Sequence, residues 1–242
     1  MLLENKISLV TGASRGIGEA TAIKLASMGS EVWIHYNSGE KEAKEVLKKI
    51  EHEKGKLVQA DITDRGQVMK MFKQIEQVSG RLDILVNNAG RGERKPFREI
   101  SREDMERMFS LNAMGALYCS QYAASLMKNG GHIVNISTYA ARKIFLGMTA
   151  YAAAKASLEA ITRQMAKELG DKGIIVNGIA PGAVVKDDSL LDDETRSHII
   201  ESTPTGRLAK PEDIANLVSL FCLDEVNWMT GQIVVADGGA SL

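Results

Sequence analysis

Tyr151 and Lys155 are the residues of this chain whose types and spacing most directly suggest chemistry. They lie four residues apart in Y-A-A-A-K, a spacing that places both side chains on one face of a helix. A tyrosine with a pKa of about 10 is a poor acid or base at neutral pH. A neighbouring ammonium favours the phenolate and brings the group toward the working range of an acid–base catalyst. The pair therefore predicts a proton-transfer site.

A second Y-x-x-x-K pair, Tyr139 and Lys143, competes with the first. It lies in the segment T-Y-A-A-R-K-I-F-L-G, which we predict to be a loop. Tyr151 instead opens an alanine-rich helical run that extends to about Leu169. Because only a helix holds the two side chains on one face, the sequence favours Tyr151 and Lys155.

A glycine-rich turn near the N-terminus suggests a second kind of chemistry. The first predicted strand ends in T-G-A-S-R-G-I-G, and Gly12, Gly16 and Gly18 open the helix that follows. A diphosphate can approach a backbone without side chains, and the helix N-terminus offers it free N–H groups and a partial positive charge. Such a segment can also be only a structural turn, but its place between a strand and a helix favours phosphate binding.

The elements that must position these residues alternate between apolar runs and amphipathic ones. The apolar runs are continuous rather than alternating, which is typical of a sheet covered by helices on both faces. Strand and helix alternate at the spacing of βαβ units. We therefore predict one doubly wound α/β (Rossmann) domain with a mostly parallel seven-stranded sheet. The predicted strands are 7–11, 31–36, 57–60, 82–87, 133–137, 174–179 and 232–235, and the main helices are 16–28, 40–54, 64–78 (capped by Asp64) and 151–169.

Composition excludes several classes of protein. The chain has 242 residues, 44% of them hydrophobic, and 30 Lys+Arg against 31 Asp+Glu give a net charge of -1. This balance argues against a nucleic-acid-binding protein. No apolar run approaches the roughly 18–20 residues that span a bilayer, so no membrane association is expected. The 2 cysteines indicate a reducing cytoplasm, and we predict no metal site.

The spacing T-G-x-x-x-G-x-G resembles that of the short-chain dehydrogenase/reductase family, and the resemblance extends almost from end to end. Further matches are D-I-T-D at 61–64, N-N-A-G at 87–90, F-S-L-N-A with Asn112, the pair Pro181 and Gly182, and A-D-G-G at 236–239. It implies one domain over 1–242, with a cofactor half of about 1–110, a catalytic half of about 111–242 and a lid at about 183–207. It also implies hydride transfer between a nicotinamide and a carbonyl carbon.

The resemblance implies a role for each matching residue. Tyr151 would exchange the proton of the substrate oxygen, and Lys155 would lower the pKa of that tyrosine and anchor the nicotinamide ribose. Asn112 would link Lys155 to solvent through a water, although it can equally be a buried amide without that role. The residues expected to bind the cofactor are Gly12, Ser14, Arg15, Gly16, Ile17, Gly18, Tyr36, Asn37, Ser38, Asp61, Ile62, Asn88, Ala89, Gly90, Tyr151, Lys155, Pro181, Gly182 and Val184.

The residue that hydrogen-bonds the substrate oxygen is ambiguous. The family places a serine thirteen residues before the tyrosine, and here that position is Thr138. Ser137 precedes it, and neighbouring residues of a strand face opposite sides. We expect Thr138 to supply the hydroxyl. A one-residue difference in the loop would bring in Ser137 instead.

The choice of nicotinamide cofactor depends on charge. An acid at the end of the second strand binds the ribose 2′-hydroxyl of NAD and repels a 2′-phosphate. That strand ends in Tyr36, Asn37 and Ser38, with no acid before Glu40. Arg15 could bind a 2′-phosphate, because its fork matches phosphate geometry, although it could also be a solvated surface arginine. The sequence favours NADP(H).

Among the family's subgroups the chain is most similar to the β-ketoacyl-carrier-protein reductases, which implies NADPH-dependent reduction of a 3-oxoacyl thioester linked to acyl carrier protein or CoA. A basic rim suits the phosphate of a phosphopantetheine or an acidic carrier protein. Glu93 and Glu99 could instead neutralise that rim. The resemblance also implies a homotetramer with the Tyr151 helix and the last strand at its interfaces. The rim residues are Arg91, Arg94, Lys95, Arg98, Arg142 and Lys143.

Two departures keep other functions open. The family usually has a threonine shortly after Pro181–Gly182, where this chain has A-V-V-K with Lys186, and the segment 187–195 is acidic. The alternative is a reductase or dehydrogenase of another carbonyl or alcohol, such as a sugar, polyol, steroid or secondary-metabolite intermediate. A non-catalytic nucleotide-binding protein is a further alternative, since fold alone does not imply turnover.

Overall fold

The computed structural model describes residues 1–51, 53–128, 130–185 and 192–242. They contain one sheet of seven strands in the order β3-β2-β1-β4-β5-β6-β7, and every neighbouring pair is parallel. The sheet is therefore fully parallel, where the sequence predicted a mostly parallel one. The strands are β1 (Ile7–Val10), β2 (Glu31–Tyr36), β3 (Gly55–Gln59), β4 (Ile84–Asn87), β5 (Gly131–Ile136), β6 (Ile174–Pro181) and β7 (Ile233–Ala236).

Helices follow the strands and cover both faces of the sheet. They are α1 (Gly16–Ser27), α2 (Glu40–Lys48), α3 (Arg65–Ser79), α4 (Arg102–Phe109), α5 (Gly115–Leu126), α6 (Thr149–Leu169), α7 (Asp193–Glu201) and α8 (Pro211–Leu220). A π turn at Ser110–Met114 joins α4 to α5.

The core consists of two main layers, one on each side of the sheet. On β1, Leu9 packs into the layer beneath α3, α5 and α6, whereas Val10 packs into the layer beneath α1, α2 and α8. Ile133 and Val134 on β5 divide between the two layers in the same way. Because successive strand residues face opposite sides, a strand buried on both faces needs the continuous apolar runs that the sequence has. The doubly wound architecture is confirmed.

Boundaries differ most around α2, which ends at Lys48 rather than at residue 54. The chain then tightens, since Lys49 and Ile50 donate their N–H groups three residues back to Val46 and Leu47. This turn buries Ile50 and lets β3 begin at Gly55, where an added Cβ would lie 2.5 Å from Leu47 Cδ1.

The cap predicted for α3 is present. Asp64 accepts hydrogen bonds from the backbone N–H groups of Gly66 and Gln67, which satisfies two donors that a helix start leaves free. Within the described ranges, no helix combines the length and apolarity that crossing a bilayer requires.

The strand order places a crevice at the carboxyl edge of the sheet. The chain moves outward from β1 through β2 to β3 and then returns to β4 on the other side of β1. Loops that leave neighbouring strands in opposite directions separate there and leave room for a ligand. The turns after β1, β4, β5 and β6 all open at this edge.

Candidate active site

A cavity of about 800 Å³ occupies the crevice. Its wall includes residues that are distant in sequence, from the glycine turn after β1 to the end of β6. Predicted residues on this wall are Gly12, Ser14, Arg15, Gly16, Ile17, Tyr36, Asn37, Ser38, Asn88, Ala89, Gly90, Ser137, Thr138, Tyr151, Lys155, Pro181, Gly182 and Val184.

The glycine turn has the geometry that a diphosphate needs. Gly12 and Gly16 have φ values of 62° and 58°, a region that side chains with a Cβ rarely enter. A Cβ on Gly18 would lie 2.4 Å from the Gly12 carbonyl oxygen, so only glycine lets α1 pack against the turn. No side chain caps the start of α1, which leaves its first N–H groups open to an anion.

The turn after β4 is tied to the glycine turn. Thr11 Oγ1 accepts hydrogen bonds from the N–H groups of Asn88 and Ala89, both at 3.0 Å. Asn88 Nδ2 in turn donates to the carbonyls of Thr11 and Gly12, at 2.9 and 3.0 Å. Two walls of the cavity therefore hold each other in place without a ligand.

His35 supports the glycine turn through a hydrogen bond, a role that no sequence motif predicted. Its Nδ1 accepts a hydrogen bond from Gly12 N at 3.0 Å, and its Nε2 lies 3.0 Å from the Ala60 carbonyl. The ring must therefore be neutral, with the proton on Nε2. Burial lowers the pKa of His35 from 6.5 to about 4, so the ring stays neutral at physiological pH.

Tyr151 and Lys155 occupy the first two turns of α6 and both line the cavity. Lys155 is buried, and its Nζ donates to the Ile136 carbonyl at 2.6 Å. Burial lowers the pKa of Lys155 to about 8, since a charged ammonium loses solvation there. The competing Tyr139 lies in a 3-10 turn, and neither it nor Lys143 lines the cavity.

The expected effect of Lys155 on the tyrosine is not found in the protein alone. Burial raises the pKa of Tyr151 above 10, and a hydrogen bond with the Thr138 side chain opposes that rise. The Lys155 ammonium donates its hydrogen bond to the Ile136 carbonyl on β5 instead. That Lys155 lowers the pKa of Tyr151 when a nicotinamide is bound stays a prediction.

Thr138 and Ser137 both border the cavity, but their hydroxyls have different partners. Thr138 interacts with Tyr151 and also accepts a hydrogen bond from Ala140 N at 3.3 Å. Ser137 Oγ donates to the buried carboxylate of Glu159 at 2.9 Å. The Thr138 hydroxyl thus interacts with the tyrosine, whereas the Ser137 hydroxyl is bonded to Glu159.

Asn112 lies behind the cavity wall rather than on it. It sits in the π turn, where its side chain accepts from Arg91 N and donates to the Arg91 and Met108 carbonyls, each at 3.1 Å. A Cβ on Gly90 would lie 2.7 Å from Asn112 Oδ1 and 3.2 Å from Lys155 Nζ, so these two groups converge on one glycine. The π turn interrupts the regular helix at Asn112, and the water relay stays a prediction.

Three other predicted residues do not line the cavity. Gly18 packs α1 against the glycine turn. Asp61 Oδ1 accepts from Thr63 N and Oγ1 at 2.9 and 2.7 Å, and Ile62 is buried against Gly115. Contact of Asp61 and Ile62 with a cofactor stays a prediction, while Lys186 and residues 187–191 of the predicted acidic segment lie outside the described residues.

Glu42 is a lining residue that the sequence analysis missed. It belongs to the first turn of α2 and faces the same end of the cavity as Arg15 and Ser38. A Cβ on Gly39 would lie 3.3 Å from Glu42 Oε2 and 3.1 Å from Ser14 Oγ. An acid at this end was expected only from β2, whereas the Glu42 carboxylate reaches the cavity from the next helix. Further unpredicted lining residues are Gly39, Gly92, Leu111, Ile136 and Pro211.

The basic rim is partly neutralised. Lys95 pairs with Asp104, and Arg142 pairs with Glu159 at 3.2 Å. Glu93 pairs with Arg107 on α4 at 2.8 Å rather than with a rim residue. Among the described residues, the three arginines of the loop after β4 are exposed and have no ion-pair partner. They are Arg91, Arg94 and Arg98.

Comparison with known proteins now identifies the family. The family model described as "Enoyl-(Acyl carrier protein) reductase" matches residues 12–241. The chain belongs to the short-chain dehydrogenase/reductase family. The 3-oxoacyl-[acyl-carrier-protein] reductase FabG of Aquifex aeolicus is 36% identical over 98% of both chains. The hydroxynaphthalene reductase-like protein Arp2 of Metarhizium guizhouense is also 36% identical, over 98% of this chain and 96% of that protein.

Solved structures of this family share the fold closely. An angucycline C-6 ketoreductase, LanV, with bound NADP superposes with a TM-score of 0.92 at 34% identity and covers 99% of this chain and 96% of its own. A 7α-hydroxysteroid dehydrogenase in complex with NADH has a TM-score of 0.92 at 36% identity, with 98% and 94% covered. The chain is accordingly an oxidoreductase of the nicotinamide-using short-chain family.

Proposed function

We propose that this protein reduces a ketone to a secondary alcohol with NADP(H). One observation carries the proposal: Tyr151, Lys155 and the Thr138 hydroxyl converge on a single cavity whose other end is a bare glycine turn. The glycine turn fits a diphosphate, and it lines the same cavity as Tyr151, Lys155 and Thr138. A bound nicotinamide would supply the hydride. The protein would bind and orient the cofactor and the ketone, and it would transfer the proton.

Each residue has a task in this reaction. Tyr151 gives its hydroxyl proton to the oxygen of the carbonyl as that oxygen gains charge. Thr138 donates a hydrogen bond to the same oxygen and stabilises the charge. Lys155, charged below a pKa of about 8, holds the nicotinamide ribose and replaces the tyrosine proton through Asn112 and solvent.

The preference for NADP(H) over NAD(H) is part of the proposal. Tyr36, Asn37 and Ser38 line the cavity at the end of β2 without an acid. Arg15 lines the same end and gives it a guanidinium that suits a 2′-phosphate. Glu42 opposes this preference, because its carboxylate repels such a phosphate.

The substrate that we propose first is a 3-oxoacyl thioester. Arg91, Arg94 and Arg98 lie exposed on the loop after β4, without ion-pair partners among the described residues. Such a rim attracts the phosphate of a phosphopantetheine arm and the acidic surface of an acyl carrier protein. FabG of Aquifex aeolicus, which carries this activity in its name, supports the same choice.

A specific observation favours a second substrate class, a free ketone on a ring system. Phe97, Ile144 and Leu146 are 77%, 90% and 89% exposed on the two loops at the mouth. Apolar side chains in water gain about 25 cal/mol for each Å² that a ligand covers. Names of the relatives, which include a hydroxynaphthalene reductase-like protein and an angucycline ketoreductase, agree with this class.

One experiment tests the function and separates the two substrates. NADPH oxidation is followed with acetoacetyl-CoA and with α-tetralone, for the wild type and for Tyr151→Phe. We expect the wild type to reduce at least one of the two ketones. Tyr151→Phe should lower the turnover at least about 100-fold, because the general acid is lost. A wild type that binds NADPH and reduces neither ketone would contradict the proposal.

A variant in which Arg91, Arg94 and Arg98 are all changed to Gln then decides between the substrates. If the thioester is the substrate, its KM rises about tenfold while that of α-tetralone stays within twofold. Arg163→Gln is the matched control, since Arg163 is exposed on α6 and twelve residues beyond Tyr151, about 18 Å along the helix. Equal KM values in the triple variant and the wild type favour the ring ketone.

A further inference from the structure

A buried carboxylate lies behind the loop that follows β5. Glu159 is on α6, eight residues after Tyr151, and is only 6% exposed. Its Oε1 accepts a hydrogen bond from Ser137 Oγ at 2.9 Å. Its Oε2 accepts from Arg142 Nη2 and Nε, at 3.2 and 3.3 Å. The proposed reaction gives Glu159 no task, although both of its partners belong to the active-site loop.

The bond from Ser137 decides which hydroxyl can reach the reacting oxygen. A hydroxyl has a single hydrogen, and a carboxylate can only accept. The Ser137 hydrogen is therefore donated to Glu159 and is not available to a second acceptor. Thr138, the next residue, has its hydroxyl beside Tyr151. Without an acceptor at Glu159, the Ser137 hydroxyl would be buried and unpaired, and turning toward the cavity would be its remaining option.

The bond from Arg142 holds the loop 139–148. A guanidinium that donates two bonds to one carboxylate fixes its own orientation. Two further contacts hold the same loop, from Lys143 Nζ to the Ala240 carbonyl and from Lys95 N to the Gly147 carbonyl.

The loop 139–148 presents apolar side chains to the solvent. Ile144 and Leu146 are exposed between Lys143 and Gly147, so the anchors fix the backbone while leaving these two side chains free. An ordered loop presents them to a ligand without the entropy cost of ordering it on binding.

We propose that Glu159 is a positioning residue for ketone reduction. By accepting the Ser137 hydrogen, it leaves Thr138 as the residue whose hydroxyl binds the reacting oxygen. By binding Arg142, it holds the loop 139–148 at the mouth of the cavity. The role rests on the proposed function. This positioning role differs from a purely structural role in stabilising α6, because it predicts separate effects on the two hydroxyls and on ketone binding.

The first experiment is a double-mutant cycle of Glu159→Gln and Arg142→Gln. Each single change is expected to raise the KM for the ketone about fivefold, with kcat and the Kd of NADPH within twofold. The KM of the double variant is expected to be no higher than that of the more impaired single variant, because both changes break the same contact. Glu168→Gln, an exposed acid later on α6, is the matched control and leaves KM unchanged. Effects that add, or that fall equally on NADPH binding, overturn the role of Arg142.

The second experiment uses recovery of activity, which a purely structural role would not produce. Thr138→Ala is expected to lose about 100-fold in kcat, while Ser137→Ala stays within threefold. In the Thr138→Ala background, Glu159→Leu frees the Ser137 hydroxyl and restores kcat at least tenfold, and a further Ser137→Ala abolishes that gain. No recovery in a double variant that melts near the wild type and binds NADPH normally overturns the role of Ser137.

These outcomes distinguish this proposal from the proposed function. A wild type that binds NADPH and reduces no ketone overturns both. An active wild type whose Glu159 variants show neither the KM increase nor the recovery overturns the positioning role alone. Hydrogen exchange supplies a readout independent of turnover: backbone amides of 139–148 exchange faster in Glu159→Gln, and equal rates contradict the anchoring.

Discussion

At the scale of residues, the cofactor preference that we propose depends on two opposite charges at one end of the cavity. Arg15 and Glu42 both line that end, and the Glu42 carboxylate lies close to Gly39 and Ser14. Glu42 forms no ion pair with another described residue. Two unit charges roughly 8 Å apart in water interact by about 0.5 kcal/mol. A 2′-phosphate with nearly two charges is therefore opposed by about 1 kcal/mol, a factor of about five in affinity.

We expect Glu42→Gln to tighten NADPH binding about fivefold and to leave NADH binding unchanged, because only NADPH has the 2′-phosphate. Arg15→Gln weakens NADPH binding and spares NADH. Nicotinamide fluorescence at low salt measures both Kd values. Glu40→Gln is the matched control, since Glu40 is on the same helical turn but pairs with Lys44. An equal change for both cofactors in Glu42→Gln would rule out a contact with the phosphate.

At the scale of elements, one buried histidine connects three strands. His35 lies on β2 and binds the turn after β1 through Gly12 and the end of β3 through Ala60. Its pKa of about 4 in the fold lies below the value of about 6.5 in an unfolded chain. Between these values the unfolded chain takes up a proton that the folded ring does not, so the free energy of unfolding falls as pH falls.

The loss from His35 amounts to about 3 kcal/mol between pH 6.5 and pH 4, at 1.36 kcal/mol per pKa unit. Burial also lowers the pKa of His132, which adds a loss of the same sign. Urea unfolding at a series of pH values measures the total. His35→Gln is expected to be less stable at pH 7 but to lose less on acidification, whereas His198→Gln, at an exposed position on α7, follows the wild type. Parallel curves for His35→Gln and the wild type would contradict this assignment.

At the scale of the whole molecule, apolar side chains near the C-terminus lie in water. Trp228 and Leu242 are fully exposed and Leu220 is 51% exposed. A side chain as large as Trp228 gains free energy where a second chain covers it, and we propose that this occurs in a homotetramer. Light scattering of the purified protein is expected to give about four times the 26.3 kDa chain mass, and Trp228→Arg to lower it. A monomer at micromolar concentration contradicts the tetramer.

The sequence was sufficient for the fold and for most of the cavity wall. Continuous apolar runs and the glycine spacing are local signals, and they located the strands and the glycine turn. It was not sufficient where a side chain's direction depends on a distant partner. Ser137 turns toward Glu159, a residue twenty-two positions later, and His35 supports a turn on another strand. Glu42 reaches the cavity because α2 begins where it does, which no motif encodes.

The core layer beneath α1 has a consequence for synthesis on the ribosome. Val10, Leu25 and Ile34 share that layer with Ile214 and Val218 of α8. A nascent chain that has emerged only to residue 110 therefore exposes this apolar face to solvent until about a hundred further residues follow. Exposed apolar surface of this kind favours aggregation and binding by chaperones. The cofactor half is thus expected to mature late, after the segment that closes its core has left the exit tunnel.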